Sequence, residues 1–116
     1  MKKYLLIFSL LFTLFSCSEK QSENENNQLP FVVSSESIII DVRTTEEWQS
    51  DGHSPCSVSI PLSELEQSVD SLKKYKQIGI VCRSGNRAAQ AKTYLSSQGH
   101  PQVYNLGAWQ NINCNK

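Results

Sequence analysis

The chain has 116 residues, a length that holds one small domain around a single hydrophobic core. Eleven basic and eleven acidic residues cancel to a net charge of zero, although all the acidic residues lie between Glu19 and Asp70. The basic residues beyond Asp70 form no dense stripe with interleaved aromatic side chains, which argues against nucleic-acid binding.

The N-terminal sequence has the pattern of an export signal. A basic head, residues 2–3, precedes an apolar run over 4–15 that is shorter than the roughly 20 residues a membrane-spanning helix needs. This pattern is typical of a secretory signal peptide, which we assign to residues 1–16. The run ends in LFSC at Cys17, which resembles the lipobox of bacterial lipoproteins, in which the cysteine is acylated after cleavage. The alternative is a plain signal peptide in which this cysteine is incidental.

The segment after the signal peptide is polar and rich in Asn, Ser and Glu. Residues 17–28 therefore predict a flexible tether between a lipid anchor on Cys17 and a folded domain over 29–116. We expect the mature protein to be lipid-anchored on the periplasmic side of a bacterial membrane or in the cell envelope.

The folded part begins with a strand and a short helix. Residues 37–43 form a β-branched run typical of a strand buried on both faces. Thr44 and Glu47 have the spacing of a capping box, which predicts that a helix begins there. A short alternating strand over 57–60 follows and is closed by a proline.

The pattern then changes twice between helix and strand. Apolar residues recur at helical spacing over 62–72, with Ser63 and Glu66 spaced as a second capping box. Residues 77–81 predict a second buried strand, and 86–98 predict a helix that ends at a glycine.

A last strand is predicted over 102–106. Strands that alternate with helices indicate one small α/β domain with a parallel sheet covered by helices on both sides. Ligand sites in such domains lie at the carboxyl ends of the strands, and Cys82 follows the strand over 77–81.

The segment CRSGNR, residues 82–87, joins that strand end to a helix start. Gly85 can adopt a positive φ, so that successive amide N–H groups converge into an anion-binding nest. These amides, with Arg83 and Arg87 nearby, would lower the pKa of Cys82 below the free value of about 8.5. The loop therefore suits a nucleophilic sulfur that attacks or carries a negative group. The alternative is a buried strand-end cysteine beside two solvent-facing arginines.

Five short motifs occur in the order seen in the rhodanese family. They are DVR at 41–43, GH at 52–53 with a following proline, IPL at 60–62, CRSGNR at 82–87 and LGAW at 106–109. The match covers about residues 36–112 and resembles the single-domain thiosulfate sulfurtransferases.

In that family the loop cysteine takes a sulfane sulfur from a donor as a persulfide and passes it to a nucleophile. The resemblance implies that Cys82 is the nucleophile and that Asp41 and Arg43 help to hold the loop. It also implies a substrate-binding cradle formed by the amides of Arg83, Ser84, Gly85, Asn86 and Arg87. We further expect Arg87 to brace the loop through Asp41.

The expected partners are small molecules. Thiosulfate is the first choice of donor because its dianion matches a loop flanked by two arginines, and cyanide or a thiol would be the acceptor. Polysulfides or a protein persulfide would fit as donors too.

We expect a monomer without a cofactor. Neither His53 nor His100 belongs to a set of residues with the spacing of a metal site in the sequence, so no metal site is predicted.

Three rival functions remain open. A cysteine-dependent phosphatase or arsenate reductase has five residues between cysteine and arginine, whereas four separate Cys82 from Arg87, which favours sulfur transfer. A lipid-tethered persulfide carrier, or a rhodanese-like binding module, would serve a protein partner. For a redox role, Cys56 or Cys114 would resolve an oxidised Cys82, or the two would instead form a structural disulfide.

Overall fold

Four parallel strands form the centre of the domain in the computed structural model, which describes residues 30–115. The strands are β1 (Ser37–Asp41), β2 (Ser57–Ser59), β3 (Gln77–Cys82) and β4 (Val103–Ala108). They lie in the order β2-β1-β3-β4, and each neighbouring pair is parallel. The predicted α/β fold with a parallel sheet is confirmed, and β1 and β3 are its interior strands.

The proposed signal peptide (1–16), the tether (17–28) and Cys17 lie outside the described residues. Leu29 and Lys116, the ends of the proposed domain, lie outside them as well. Within residues 30–115, no helix has the length and apolar character needed to cross a membrane.

Helices and 3-10 turns connect the strands. They are α1 (Thr45–Ser50), α2 (Leu65–Leu72), α3 (Asn86–Ser97) and the 3-10 turns Leu62–Glu64 and Trp109–Asn111. The capping box of α1 is confirmed. The Glu47 N–H donates to Thr44 Oγ1 at 3.2 Å, and the Thr44 N–H donates to Glu47 Oε1 at 2.9 Å.

The prediction of a second capping box at Ser63 and Glu66 is wrong. Residues 62–64 form a 3-10 turn in which the Glu64 N–H donates to the Pro61 carbonyl at 2.8 Å. Because this turn starts directly after the proline, Ser63 lies inside it and cannot cap a helix. The helix α2 begins at Leu65 instead, and its N-cap residue makes no side-chain hydrogen bond to the backbone.

One face of the sheet carries the main hydrophobic core. Leu65 and Leu72 of α2, with Ala88, Ala91 and Leu95 of α3, pack against the buried strand residues Ile40, Ile78, Ile80 and Val103. Cys82 belongs to the same cluster. The core therefore supports the end of β3, where the cysteine loop begins.

Phe31 and Leu106 pack closely against Gly79 of β3. A Cβ atom on Gly79 would contact the Leu106 side chain and lie 3.0 Å from the Phe31 ring. The Phe31 ring also meets Tyr104 edge-on, with the ring centroids 5.8 Å apart. The segment before β1 therefore contributes to the packing of the sheet.

The strand β4 is longer than predicted. Ile80 pairs with Asn105 and Val81 pairs with Gly107, so Leu106 is an extra residue in a β-bulge. A glycine normally indicates the end of a strand, but Gly107 has φ 84° and allows the bulge to form. The strand then continues to Ala108 beside the cysteine loop.

Cys56 and Cys114 form a disulfide, and Cys82 is a free, buried cysteine. Of the alternatives left open by the sequence, the structural disulfide is the one observed. It joins the loop before β2 to the C-terminal segment, across a sequence separation of 58 residues.

Candidate active site

Cys82 lies at the carboxyl end of an interior strand, with 1% of its surface exposed. Its Sγ accepts a hydrogen bond from the Gly85 N–H at 2.9 Å and another from the Ala88 N–H at 3.4 Å. Gly85 has φ 99° and is the N-cap of α3. The left-handed conformation, which glycine adopts without strain, turns the loop back so that its amides face the sulfur.

These amides decide the ionisation of the thiol. Burial opposes the charged form, but the backbone N–H groups of Ala88, Ser84, Gly85 and Arg87 outweigh it and lower the pKa of Cys82 below its ordinary value. The substrate-binding role expected for the amides of residues 83–87 stays a prediction, but a nest of amides that includes those of Gly85 and Ala88 converges on Sγ. It stabilises the thiolate, which is the reactive form of a cysteine.

Asn105 braces the loop from β4. Its Nδ2 donates to the Gly85 carbonyl at 3.0 Å, and its Oδ1 accepts the Gly107 N–H at 2.9 Å. The loop thus connects to the bulge, which brings Gly107 close to Gly85. Sequence patterns do not single out Asn105, because an asparagine one residue before a bulged position is a weak local signal.

Asp41 and Arg43 form a fully buried ion pair at the end of β1. Arg43 donates from Nε and Nη2 to the Asp41 carboxylate at 2.8–3.1 Å, and from Nη2 to the Gly52 carbonyl at 2.8 Å. Its guanidinium lies over the Trp109 ring, 4.5 Å from the centroid. The pair joins β1, the segment after α1 and the C-terminal turn, so any support it provides to the cysteine loop is indirect.

Arg83 and Arg87 both pair with Glu47 of α1, and Arg83 also pairs with Asp51, the C-cap of α1. Arg87 contacts Glu47 at 2.7 and 3.0 Å, and Arg83 contacts Glu47 at 2.9 Å and Asp51 at 2.6 Å. The expected contact between Arg87 and Asp41 is therefore wrong. Arg43 takes the Asp41 carboxylate, and Arg87 takes Glu47.

Glu47 is the site residue that the sequence pattern missed. It was recognised only as half of a capping box, a local feature that carries no information about partners 36 and 40 residues away. Hydrogen bonds from Arg87, the Thr44 N–H and Arg83 hold the pKa of Glu47 well below its usual range, so it is ionised. The loop arginines therefore do not present free charge to Cys82.

The remaining polar candidates lie apart from the sulfur or contribute only backbone. The side chains of Ser84 and Asn86 are exposed. The His53 ring stacks on Trp48 with centroids 3.6 Å apart, and His100 bonds the Tyr75 carbonyl at 2.8 Å. Within the described part of the chain, no group of three or more His, Cys, Asp or Glu residues is arranged to hold a metal ion.

The family model described as Rhodanese-like domain matches residues 19–113. The chain belongs to the rhodanese-like domain family. Relatives of the chain include proteins named as sulfurtransferases.

Relatives match the chain at moderate identity. YrkF of Bacillus subtilis is 40% identical over 76 residues, which are 65% of this chain but 40% of YrkF. The thiosulfate sulfurtransferase GlpE of Pseudomonas savastanoi is 30% identical over 69 residues, 60% of this chain and 64% of GlpE. A solved structure described as "rhodanese with anions from E. coli" has a TM-score of 0.60 and 30% identity, covering 68% of this chain and 94% of its own.

Proposed function

We propose that the protein is a sulfurtransferase that moves a sulfane sulfur from thiosulfate or a similar donor to a nucleophilic acceptor through a persulfide on Cys82. The observation that carries the proposal is the Cys82 Sγ within hydrogen-bonding distance of the Gly85 and Ala88 N–H groups. Donors in this position stabilise negative charge on the sulfur before and after it takes up a second sulfur.

The proposed reaction has two displacement steps. The Cys82 thiolate attacks the outer sulfur of thiosulfate, a Cys–S–S bond forms, the donor S–S bond breaks and sulfite leaves with the electron pair. Cyanide or a thiolate then attacks the outer sulfur of the persulfide. Cys82 leaves as the thiolate, and thiocyanate or a new persulfide is released. No external oxidant or reductant is needed.

The arrangement of Arg87 supports sulfur transfer over phosphate chemistry. A phosphatase needs an arginine directed at the oxyanion, whereas Arg87 is engaged by both oxygens of Glu47. Four residues separate Cys82 from Arg87, so the loop is one residue shorter than the loop of such enzymes. The small cradle suits a single sulfur atom next to Sγ.

The test is mass spectrometry of the mature protein after incubation with thiosulfate. We expect a mass gain of one sulfur atom on the Cys82 peptide, and release of thiocyanate over many turnovers when cyanide is added. Cys82→Ser is the control and should show neither. Persulfide formation followed by slow discharge to cyanide and small thiols would instead indicate a carrier that serves a protein partner. Absence of the added sulfur in the wild type, both with thiosulfate and with a monoanionic sulfane-sulfur donor, would refute the proposal.

We also propose that the protein is exported and anchored through acyl chains on Cys17. The disulfide between Cys56 and Cys114 supports export, because such bonds persist in oxidising compartments. Radiolabelled palmitate should be incorporated into the wild type and not into Cys17→Ala. An unlabelled wild type that fractionates with soluble proteins would contradict the anchor.

A further inference from the structure

The acidic side chains Glu47 and Asp51 neutralise the two arginines of the cysteine loop, residues 82–87. Glu47 accepts from both terminal nitrogens of Arg87 and from Arg83, while Asp51 accepts from Arg83. The Glu47–Arg87 contact is partly buried, with side chains 21% and 31% exposed, whereas Arg83 and Asp51 form a more exposed pair at 49% and 42%. Two carboxylates thus match the two guanidinium groups that flank Cys82.

This balance changes the potential that a donor meets. Two unpaired arginines would attract a dianion, but the four-residue cluster of Arg83, Arg87, Glu47 and Asp51 has no net charge. A donor approaching Cys82 therefore meets the negative charge of the thiolate with the loop amides as its main compensation. Repulsion grows with each negative charge on the donor, and partly buried charges are screened less by salt than exposed ones.

We infer that Glu47 sets donor selectivity by neutralising Arg83 and Arg87, so that the site discriminates against the second negative charge of a sulfane-sulfur donor. The favoured class is the monoanionic donor, such as a thiosulfonate or a low-molecular-weight persulfide. This inference rests on the proposed persulfide chemistry at Cys82. With a thiosulfonate, the Cys82 thiolate takes the outer sulfur, the S–S bond of the donor breaks and a sulfinate leaves with the electron pair.

Arg87 is the route by which Glu47 acts on the sulfur. Its guanidinium interacts electrostatically with Cys82, and Glu47 raises the pKa of Arg87 chiefly through its hydrogen bond. Removing the carboxylate charge leaves the Arg87 guanidinium as an unmatched cation that interacts with Cys82 through its charge. Glu47 is thus a positioning and specificity-determining residue rather than a catalytic one.

The test compares thiosulfate with methanethiosulfonate, which has the same kind of sulfane sulfur and one negative charge fewer. The variant is Glu47→Gln, because glutamine keeps an Oε1 acceptor for the Thr44 N–H and so preserves the capping box. The matched control is Glu46→Gln in the same helical turn. Glu46 is exposed and forms no ion pair within residues 30–115.

We expect the ratio of kcat/KM for thiosulfate to kcat/KM for methanethiosulfonate to rise about fivefold in Glu47→Gln. The KM for thiosulfate should also become more sensitive to ionic strength. Asp51→Asn should raise the ratio less, because Arg83 keeps its contact with Glu47. Glu46→Gln should leave the ratio near that of the wild type.

Two results would overturn the inference. One is an unchanged ratio in Glu47→Gln, including a case in which both donors lose activity equally, since that would make Glu47 a purely structural residue. The other is an equal rise in Glu46→Gln, which would reflect overall charge. Circular dichroism checks the fold, and Asp51→Asn provides the same comparison if Glu47→Gln does not fold. Absence of a Cys82 persulfide with both donors in the wild type would instead refute the proposed function.

Discussion

At the scale of single residues, the lowered pKa of Cys82 comes from backbone groups more than from charged side chains. The Gly85 and Ala88 N–H groups donate directly to Sγ, whereas the two nearby arginines pair with carboxylates. Backbone donors are fixed by the loop conformation and cannot rotate away. The sulfur therefore keeps its stabilisation whatever the arginines contact.

Because backbone amides stabilise the Cys82 thiolate, we predict how the alkylation rate of Cys82 depends on pH. The pKa of Cys82 is lowered in the folded protein, so alkylation by iodoacetamide should reach half its maximal rate at a lower pH than in urea-unfolded protein, whose thiol titrates near 8.5. Peptide mass spectrometry assigns the alkylation to Cys82. A folded-state midpoint at or above the unfolded one would show that burial outweighs the amide donors.

The lowered pKa of Cys82 also determines whether the folded protein becomes more or less stable as the pH rises. A thiol with a folded pKa below its unfolded value contributes stability at pH values above the unfolded pKa. That contribution is lost as the pH falls through the folded pKa of Cys82. Relative to Cys82→Ser, the wild type should therefore gain stability as the pH rises through this window.

At the scale of elements, the cysteine loop depends on the bulge in β4. The bulge places Leu106 as an extra residue, and Asn105 bonds both the Gly85 carbonyl and the Gly107 N–H. The helix α1 contacts the loop from its other side through Glu47 and through Asp51, its C-cap. The loop is therefore held between a strand and a helix that lie far apart in sequence.

Asn105→Ala should weaken the loop without unfolding the domain. It removes two hydrogen bonds at an exposed position, and we expect about 1 kcal/mol of lost stability together with a lower kcat. Urea unfolding and the pH midpoint of Cys82 alkylation measure the two effects. Asn111→Ala is the matched control, because Asn111 is also exposed and lies in the C-terminal 3-10 turn. Equal kcat values in the two variants would contradict a role for Asn105 in the loop.

At the scale of the whole molecule, a disulfide and a buried ion pair bring the C-terminal segment onto the sheet. Cys114 is bonded to Cys56, and Trp109 covers Arg43, which is itself paired with Asp41. The C-terminal segment is thus tied to the end of β1 and to the loop before β2. These contacts link parts of the chain that share no local sequence pattern.

Replacing both disulfide cysteines by serine should lower the free energy of unfolding by about 4 kcal/mol, because the bond closes a long loop in the unfolded chain. The double variant avoids leaving an unpaired thiol. Urea unfolding measures the change, and dithiothreitol should reduce the stability of the wild type but not of the variant. Equal stability of the two proteins in oxidising buffer would contradict a stabilising disulfide.

The sequence by itself determined the order and type of the main elements and the place of Cys82 in the loop after β3. Each depends on local patterns: β-branched runs for β1 and β3, helical spacing for α2 and α3, and a glycine-containing loop after a strand for Cys82. Such patterns are visible because neighbouring residues share one periodicity or one loop conformation. The capping box at Thr44 and Glu47 was visible for the same reason.

Only the tertiary structure decided which distant groups meet. The pairing of Glu47 with both loop arginines, the bond from Asn105 to the Gly85 carbonyl and the choice of Cys114 as partner of Cys56 join residues between 20 and 58 positions apart. Parallel strands bring such residues to one edge of the sheet, and their side-chain contacts then depend on register and on the bulge. The net charge around the cysteine loop depends on those contacts. The number of arginines in the sequence does not show which carboxylates pair with them.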